Sequence, residues 1–330
     1  MYPELFQIPF TQLTVKSYGL MMVIGFLSAV YLIRRLSKNI TPDPQLITNA
    51  ALYALIAGVV GARIFYVVHY FDRFSDNLLS VFAIWQGGLE LLGGVLLAIA
   101  VIFFYLRYHK LPIRKYLDIL AIALLLALAF GRIGCFLNGC CYGKPSNLPW
   151  AVRFPYGSFA YRSQVYPNHA RDRTRPQLLI PLDFFGYETD NRKWVNDLKP
   201  FDKLTPQQQD QVTTGQYRAL TVHPTQFYSS ANALFCSWLL FVFWRRSQNA
   251  KKAGQNNSRF IKSGQTFALM FILYGTTRVI LEFFRDDNPF EFDSMTVSQN
   301  IGIVLAVLGT VLMLTVEKIK WKKHETITTQ

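Results

Sequence analysis

Charge is what this chain lacks. Asp, Glu, Lys and Arg make up 16% of its 330 residues, against about 25% in a typical soluble domain. Acids are the scarcer sign, 20 against 34 basic residues, which leaves a formal net charge of +14. Cysteine is sparse as well: four residues in the whole chain exclude a disulfide-stapled miniprotein. The glycines follow no Gly-X-Y period, which excludes a collagen-like chain. Apolar residues fill the space, 51% of the chain with 15% aromatic, too much for a disordered tail. They are grouped in blocks that reach the roughly 20 residues needed to cross a bilayer, which excludes a soluble enzyme.

Seven such blocks run over about residues 18–33, 46–71, 89–106, 116–136, 225–244, 265–284 and 296–316. The expected fold class is an all-α polytopic membrane protein with seven transmembrane helices. Between the fourth and fifth blocks lies a polar stretch, residues 135–222, too long for a plain connection. Its five prolines (Pro155, Pro167, Pro176, Pro181, Pro200) and short apolar runs at 150–154 and 178–185 predict a small irregular head with a few short strands or helices. The Gln-rich segment 206–216 reads as a surface turn. The chain then divides into transmembrane helices one to four (1–134), a head region (135–222), and helices five to seven with a basic tail (223–330). The first 17 residues carry one cation, Lys16, and no n-region, h-region and cleavage-site pattern, so no removable signal peptide is expected.

Lys and Arg orient the blocks. Seventeen of the 34 basic residues sit at alternate block ends, beginning with Arg34, Arg35 and Lys38, then Arg107 and Lys110, then Arg245 and Arg246, and ending with Lys318 to Lys323. The opposite loops hold Arg73, and Arg285 among Asp286, Asp287, Glu291 and Asp293. The positive-inside rule places the N-terminus and residues 135–222 outside and the C-terminus in the cytoplasm. The net charge therefore follows membrane topology and does not indicate nucleic acid. The cytoplasmic loop 247–263, rich in Lys, Asn and Gln, is expected to be mobile.

A few residues stand where a plain span would not place them. Arg63 lies within the second block, Arg132 near the outer end of the fourth, and Arg278 and Glu282 in the sixth. A charge at membrane depth costs at least about 2.5 kcal/mol and needs a partner or a wet cavity. Arg278 and Glu282 are four apart, so they share a helix face and can pair. Arg132, Arg278 and Glu282 are expected to converge on one interfacial site, where Arg can hold a lipid phosphate bidentately. Glycines cluster at 87–94 and at 131–143, where they allow close approach of helices or of a ligand. Cys135, Cys140 and Cys141 share the second cluster. Their CxxxxCC spacing is not that of a zinc pair, so no metal is expected. Small buried residues in a tight turn, or a disulfide from Cys135 to Cys140 or Cys141, remain open.

Five stretches then carry a resemblance. Tyr18-Gly19-Leu20-Met21 opens the first block, and Trp85-Gln86-Gly87-Gly88-Leu89 precedes the third. Gly131-Arg132-Ile133-Gly134-Cys135-Phe136-Leu137-Asn138-Gly139-Cys140-Cys141-Tyr142-Gly143 closes the fourth. His223-Pro224-Thr225-Gln226-Phe227-Tyr228 begins the fifth, and Tyr274-Gly275-Thr276-Thr277-Arg278-Val279-Ile280-Leu281-Glu282-Phe283-Phe284-Arg285 closes the sixth. In this order, over about residues 12–316, they resemble the prolipoprotein diacylglyceryl transferase family of the bacterial inner membrane. The resemblance implies transfer of the diacylglyceryl group of phosphatidylglycerol to the lipobox cysteine thiol of preprolipoprotein signal peptides. Glycerol 1-phosphate is released, no cofactor or metal is needed, and the partners are these substrates and membrane lipids. It further implies that Arg132 and Arg278 grip the phosphate, that Glu282 orients Arg278, and that Tyr18 belongs to the catalytic set. Gly143, Gly93, Gly94, Asn138 and His223 would join Arg132 and Arg278 in binding substrate. Arg63 would be structural or headgroup-facing.

The chain departs from the family pattern in its polar half. Leu92 stands where the family usually has His or Tyr. Cys135 and Cys140 stand where Asn and Glu are common, although a Cys-containing version occurs among relatives. Ser229 stands where Glu is usual. Alternatives to the transferase are therefore a homologue moving a phosphatidylglycerol-derived group to another acceptor, or a silent lipid- or lipoprotein-binding homologue.

The charge asymmetry predicts that a reporter fused near Gln208 is active only outside the cytoplasm. Activity confined to the cytoplasm would invert the topology.

Overall fold

The structure, a computed structural model, describes residues 4–7, 14–38, 40, 43–74, 78–83, 87–189, 194–254, 262–292 and 294–316. Trp85, Gln86, Arg259, Asp293 and the lysines from Lys318 onward lie outside these. Among the described residues seven helices reach 18 residues or more: α1 (Ser17–Ser37), α2 (Gln45–His69), α3 (Leu91–Tyr108), α4 (Ile113–Asn138), α7 (Thr225–Lys252), α8 (Gln265–Glu282) and α9 (Val297–Thr315). Two short helices fall between α4 and α7, α5 (Phe159–Val165) and α6 (Pro206–Thr213). Five helices, α1, α2, α4, α7 and α9, are long and apolar enough to cross a membrane, and Leu92–Tyr108 is a shorter apolar helix. Their outward faces are apolar. Leu27, Val68, Phe104 and Leu314 are each more than half exposed, which water would penalise and hydrocarbon does not. This is a mostly helical, polytopic membrane protein.

Three small antiparallel hairpins accompany the helices: β1 (Glu4–Gln7) with β2 (Thr14–Lys16), β3 (Phe185–Glu188) with β4 (Trp194–Leu198), and β5 (Phe290–Phe292) with β6 (Met295–Thr296). Two expectations are corrected. Segment 206–216 is largely the helix α6 and not a turn. Thr205 accepts from Gln208 N while the Gln208 side chain accepts from Thr205 N, and Pro206 occupies the first helical position. This reciprocal capping box was legible as Thr-Pro-Gln-Gln. Of segment 247–263, expected to be a mobile loop, residues 247–252 are the last turns of α7, and residues 255–261 lie outside the described residues.

The chain groups into two compact units. One comprises Met1–Leu27, Leu124–Val242 and Ala268–Met313, the other Ser28–Ala123, Phe243–Phe267 and Leu314–Gln330. In the second unit α2 and α3 pack with backbones in near contact. A Cβ on Gly61 would lie 2.5 Å from Gly93 O, and one on Gly94 would lie 2.7 Å from Gly58 O. Small residues on both helices permit that approach. The loop between them is held by Arg63, only 7% exposed. Its guanidinium donates to the carbonyls of Ser80 (2.7 Å), Val81 (2.7 Å), Gly87 (2.7 Å) and Gly88 (3.0 Å). Buried Asp118 of α4 accepts from the backbone N–H groups of Gly264 (2.7 Å) and Phe267 (3.0 Å), satisfying donors at the start of α8.

In the first unit, residues between α4 and α7 build their own core, with Tyr161, Val165, Leu178, Phe184 and Leu198 at its centre. Gln164 fastens it by donating to Leu220 O (3.2 Å) and accepting from Leu220 N (2.9 Å). Asp197 accepts from Arg162 and from the Tyr166 hydroxyl. The Arg162 hydrogen bond, then that of Tyr166, pushes its carboxyl down to about 2. Elsewhere in this unit α8 and α9 meet at Gly275 and Gly302, where a Cβ on Gly275 would lie 2.4 Å from Gly302 O.

Two predictions follow from this packing. Gly93→Ala should lower the melting temperature in detergent, because its Cβ would meet Phe65 at 2.3 Å and Gly61 O at 2.5 Å. Overpacking of this kind costs about 1–3 kcal/mol. Gly58→Ala, whose Cβ meets nothing nearer than 3.8 Å, should be nearly neutral, and equal effects would refute the seam. The second concerns pH. The carboxyl of Asp197 is depressed, so its contribution is full above the usual carboxylate range and is lost as pH falls toward about 2. Amide protection factors in 160–189 and 194–198, corrected for intrinsic exchange, should fall over that window in wild type and lack this component in Asp197→Asn.

Candidate active site

The last turn of α8 places Arg278 and Glu282 on one face. Glu282 is 2% exposed, and a carboxylate so deeply buried must be neutralised and hydrogen-bonded. Arg278 Nη2 lies 3.1 Å from Glu282 Oε2, Arg285 Nε lies 3.8 Å from the same oxygen, and Asn288 Nδ2 donates to Oε1 at 2.5 Å. Arg278 Nη2 also donates to Ser298 Oγ of α9 at 2.7 Å. Glu282 and Ser298 thus hold one edge of the Arg278 guanidinium and leave its other donors for a ligand.

Past α8 the chain is laced by charge. Arg285 donates twice to Asp287, at 2.9 and 2.6 Å. Asp286 accepts from Arg173 at 2.7 Å, and Arg171 donates to Arg285 O. This segment also lies against the exit of α4. Gly143 forms a β-bridge with Arg285, and Lys144 N donates to Phe284 O at 2.9 Å. A Cβ on Gly143 would be 2.5 Å from His223 O and 2.9 Å from Phe284 O. The need for glycine there is thus accounted for by two flanking backbones.

At the end of α4, Arg132 Nη1 reaches Cys141 Sγ at 3.6 Å. Tyr18 of α1 lies over Gly134, where a Cβ would meet its ring at 3.2 Å. The chain leaves α4 through Gly139 (φ 78) and Cys141 (φ 59), both left-handed. Thr225 Oγ1 donates to Cys141 O and Gln226 Nε2 to Cys140 O, each at 2.7 Å. The turn gathers Cys135, Cys140 and Cys141, whose sulfurs all lie within 4.8 Å of one another. They are free thiols, with no disulfide among them. Hydrogen bonds from Cys135 and Cys140, then the charges of Arg285 and Arg132, pull the Cys141 thiol below the usual range. Asn138 is the last residue of α4.

His223 sits just before α7. Trp150 Nε1 donates to the Tyr228 hydroxyl at 2.7 Å, and that hydroxyl lies 3.3 Å from His223 Nδ1. The indole can only donate, so the phenol oxygen accepts from it. Burial, then nearby Lys144, lowers the His223 pKa and keeps the ring neutral at pH 7.

Arg132 of α4 and Arg278 of α8 line one small cavity, together with Ser229 and Asn232 of α7 and Tyr274 and Thr277 of α8. Two guanidiniums share one small cavity, one of them clamped by a buried carboxylate, and an Arg so held can offer paired donors to an anion. Hydroxyls and an amide complete the polar lining. Gly93 and Gly94, expected at the substrate, are buried in the α2–α3 seam, and helix packing accounts for them without a ligand. Arg63 is consumed by loop carbonyls, and Leu92 is 59% exposed on α3. Ser298, Asn232 and Asn288 were not singled out from sequence. Nothing in their local sequence separates them from other polar residues, and only the packing of α7, α8 and α9 brings them to the arginines.

The family model described as prolipoprotein diacylglyceryl transferase matches residues 3–315. The chain is 26% identical to the phosphatidylglycerol–prolipoprotein diacylglyceryl transferase of Clostridium tetani, covering 94% of this chain and 95% of that protein. It is 29% identical to the like-named protein of Xanthomonas axonopodis pv. citri, over 91% and 86% respectively, and 25% identical to that of Synechocystis sp., over 93% and 87%. The arginine-lined cavity and a match along nearly the whole chain agree: this chain belongs to the prolipoprotein diacylglyceryl transferase family.

Proposed function

We propose that this protein transfers the diacylglyceryl group of phosphatidylglycerol to the lipobox cysteine thiol of preprolipoproteins, the first covalent step of lipoprotein maturation. The observation that carries the reading is the shared cavity of Arg132 and Arg278. In the reaction the thiol loses its proton and its sulfur attacks the terminal glyceryl carbon. The carbon–oxygen bond to phosphate breaks, and glycerol 1-phosphate leaves with an added negative charge. Arg132 and Arg278 meet that charge, and a preorganised cation is most effective where charge develops. Glu282 and Ser298 hold Arg278 in register. Tyr18, Asn138, Gly143 and His223 surround the exit of α4 and the entry of α7, where the acceptor would be bound. The protein would lie in the bacterial inner membrane with seven spans, the N-terminus and residues 135–222 outside and the C-terminus in the cytoplasm. The basic residues at alternate block ends support that orientation.

Ser229 on the cavity wall, in place of the usual Glu, favours a second reading, transfer of the same lipid-derived group to a different acceptor. Complementation of a strain depleted of its own transferase, scored by lipoprotein diacylglycerylation, separates the two. Rescue supports the first reading, and failure with consumption of phosphatidylglycerol supports the second. Arg132→Ala and Arg278→Ala should each lower turnover by about 10²-fold or more while membrane insertion is retained, since loss of such a charge partner costs about 3 kcal/mol. Near-normal turnover in both would remove them from the site.

A further inference from the structure

Three of the four cysteines stand together where α4 ends, and the way the helix is closed puts them there. Gly139, left-handed at φ 78, lets its own N–H reach Phe136 O and the Cys140 N–H reach Cys135 O, both at 3.1 Å. This pair of bonds is a Schellman closure, which folds the chain back over the last turn of its helix. Cys140 and Cys141 therefore return to Cys135, and the three sulfurs lie within 4.8 Å of one another. Cys135 is buried, Cys140 and Cys141 are partly exposed, and all three are free thiols.

Cys141 holds a left-handed backbone, φ 59, which a side chain disfavours. Thr225 and Gln226 keep it there by donating to the carbonyls of Cys141 and Cys140. The result is a sulfur 3.6 Å from Arg132 Nη1. Cys135 and Cys140, then Arg285 and Arg132, hold the Cys141 thiol below the usual range, so it is ionised where an ordinary thiol is not. A thiolate against Arg132 occupies a donor that a phosphate oxygen would otherwise take. The contact is a built-in competitor for one of the two cavity arginines.

An ionised, partly exposed thiol with a second sulfur beside it is the arrangement that exchanges with disulfides. Cys141 has two candidate partners. A bond to Cys140 would join adjacent residues, whose Cα atoms are about 3.8 Å apart, short of the roughly 4.4–6.8 Å that a disulfide prefers. Cys140 also donates its thiol to Cys135 O at 3.6 Å, which holds its proton. That leaves Cys135 as the partner. In the orientation given by the basic residues at alternate block ends, the exit of α4 faces away from the cytoplasm, on the side where disulfides form and persist.

We propose that Cys135 and Cys141 are a reversible oxidation site, closed to a disulfide by exchange with an external disulfide, and that closing it withdraws the sulfur from Arg132 and frees that arginine for a lipid phosphate. The last clause rests on the transferase reading, and the pairing does not. In the first exchange the Cys141 thiolate attacks one sulfur of the external disulfide, and a thiolate leaves and takes a proton from solvent. In the second, Cys135 gives its proton to solvent and its sulfur attacks that of Cys141, which expels the other thiolate. Two cysteines are oxidised, and one external disulfide is reduced to two thiols. A disulfide sulfur carries no charge, so Arg132 regains the donor.

The test uses the full chain in detergent, equilibrated with oxidised or with reduced glutathione and then freed of it. Alkylation and peptide mass mapping should find a Cys135–Cys141 bond after the first treatment and none after the second. Phosphatidylglycerol in mixed micelles, with no acceptor peptide present, should bind the oxidised protein about tenfold more tightly, as one regained hydrogen bond to a charged group would give. Cys141→Ala should bind like oxidised wild type after either treatment, and Cys135→Ala like reduced wild type, with thermal melts to show that both fold. The wild-type comparison needs no substitution. No disulfide, or one through Cys140, would overturn the pairing. A Cys135–Cys141 bond with equal affinity in both states would overturn the effect on Arg132. That bond in a protein that binds no phosphatidylglycerol in either state would keep the pairing and overturn the transferase reading.

Discussion

The buried carboxylate of Glu282 organises the candidate site. At 2% exposure near the end of an apolar helix, it is tolerable only with cations and donors around it. Arg278 one turn before and Arg285 three residues after supply the charge, and Asn288 adds a hydrogen bond. To bring Arg285 and Asn288 back to Glu282 the chain must fold over the helix end. That fold brings Asp286 to Arg173 and the backbone of Phe284 to Lys144. Gly143 then has backbone on both sides and no room for a Cβ. The carboxylate that holds Arg278 therefore also fixes the path of the loop and the exit of α4.

Close backbone approach is the second constraint, and it acts in each unit separately. Gly61, Gly93 and Gly94 let α2 and α3 touch, and Gly275 and Gly302 do the same for α8 and α9. Hydrocarbon gives helices no hydrophobic reason to associate, so van der Waals contact between small residues must hold them. Arg63 shows the alternative use of a charge at depth. Its donors are taken up by the carbonyls of Ser80, Val81 and Gly87, so its role is to hold the α2–α3 loop.

The site is lopsided in its chemistry. Its cationic half is complete, with two arginines on one cavity and one of them clamped. The rest carries Ser229, His223 within 3.3 Å of the Tyr228 hydroxyl, and three clustered thiols. A family whose chemistry is dominated by leaving-group charge can tolerate change on the nucleophile side, because the acceptor brings its own sulfur.

The sequence by itself determined the helices, the family and the cationic residues. The apolar blocks lie within a few residues of α1, α2, α3, α4, α8 and α9, and α7 runs past its block to Lys252, because a bilayer requires uninterrupted apolar length and that requirement is local. The pairing of Arg278 with Glu282 was legible for the same reason, since i and i+4 face each other on any helix. Even α6 carried its own capping signal, though composition pointed to a turn. Tertiary structure alone decided which polar residues meet the arginines. Ser298 reaches Arg278 from another helix, and Arg132 shares a cavity with residues about 100 and more positions away. It also decided that Gly93 and Gly94 serve a seam, that Gly143 is pressed between two backbones, and that a CxxxxCC spacing closes into a cluster. Each of these depends on how close two segments come, and sequence spacing does not encode that distance once the chain turns through a left-handed residue.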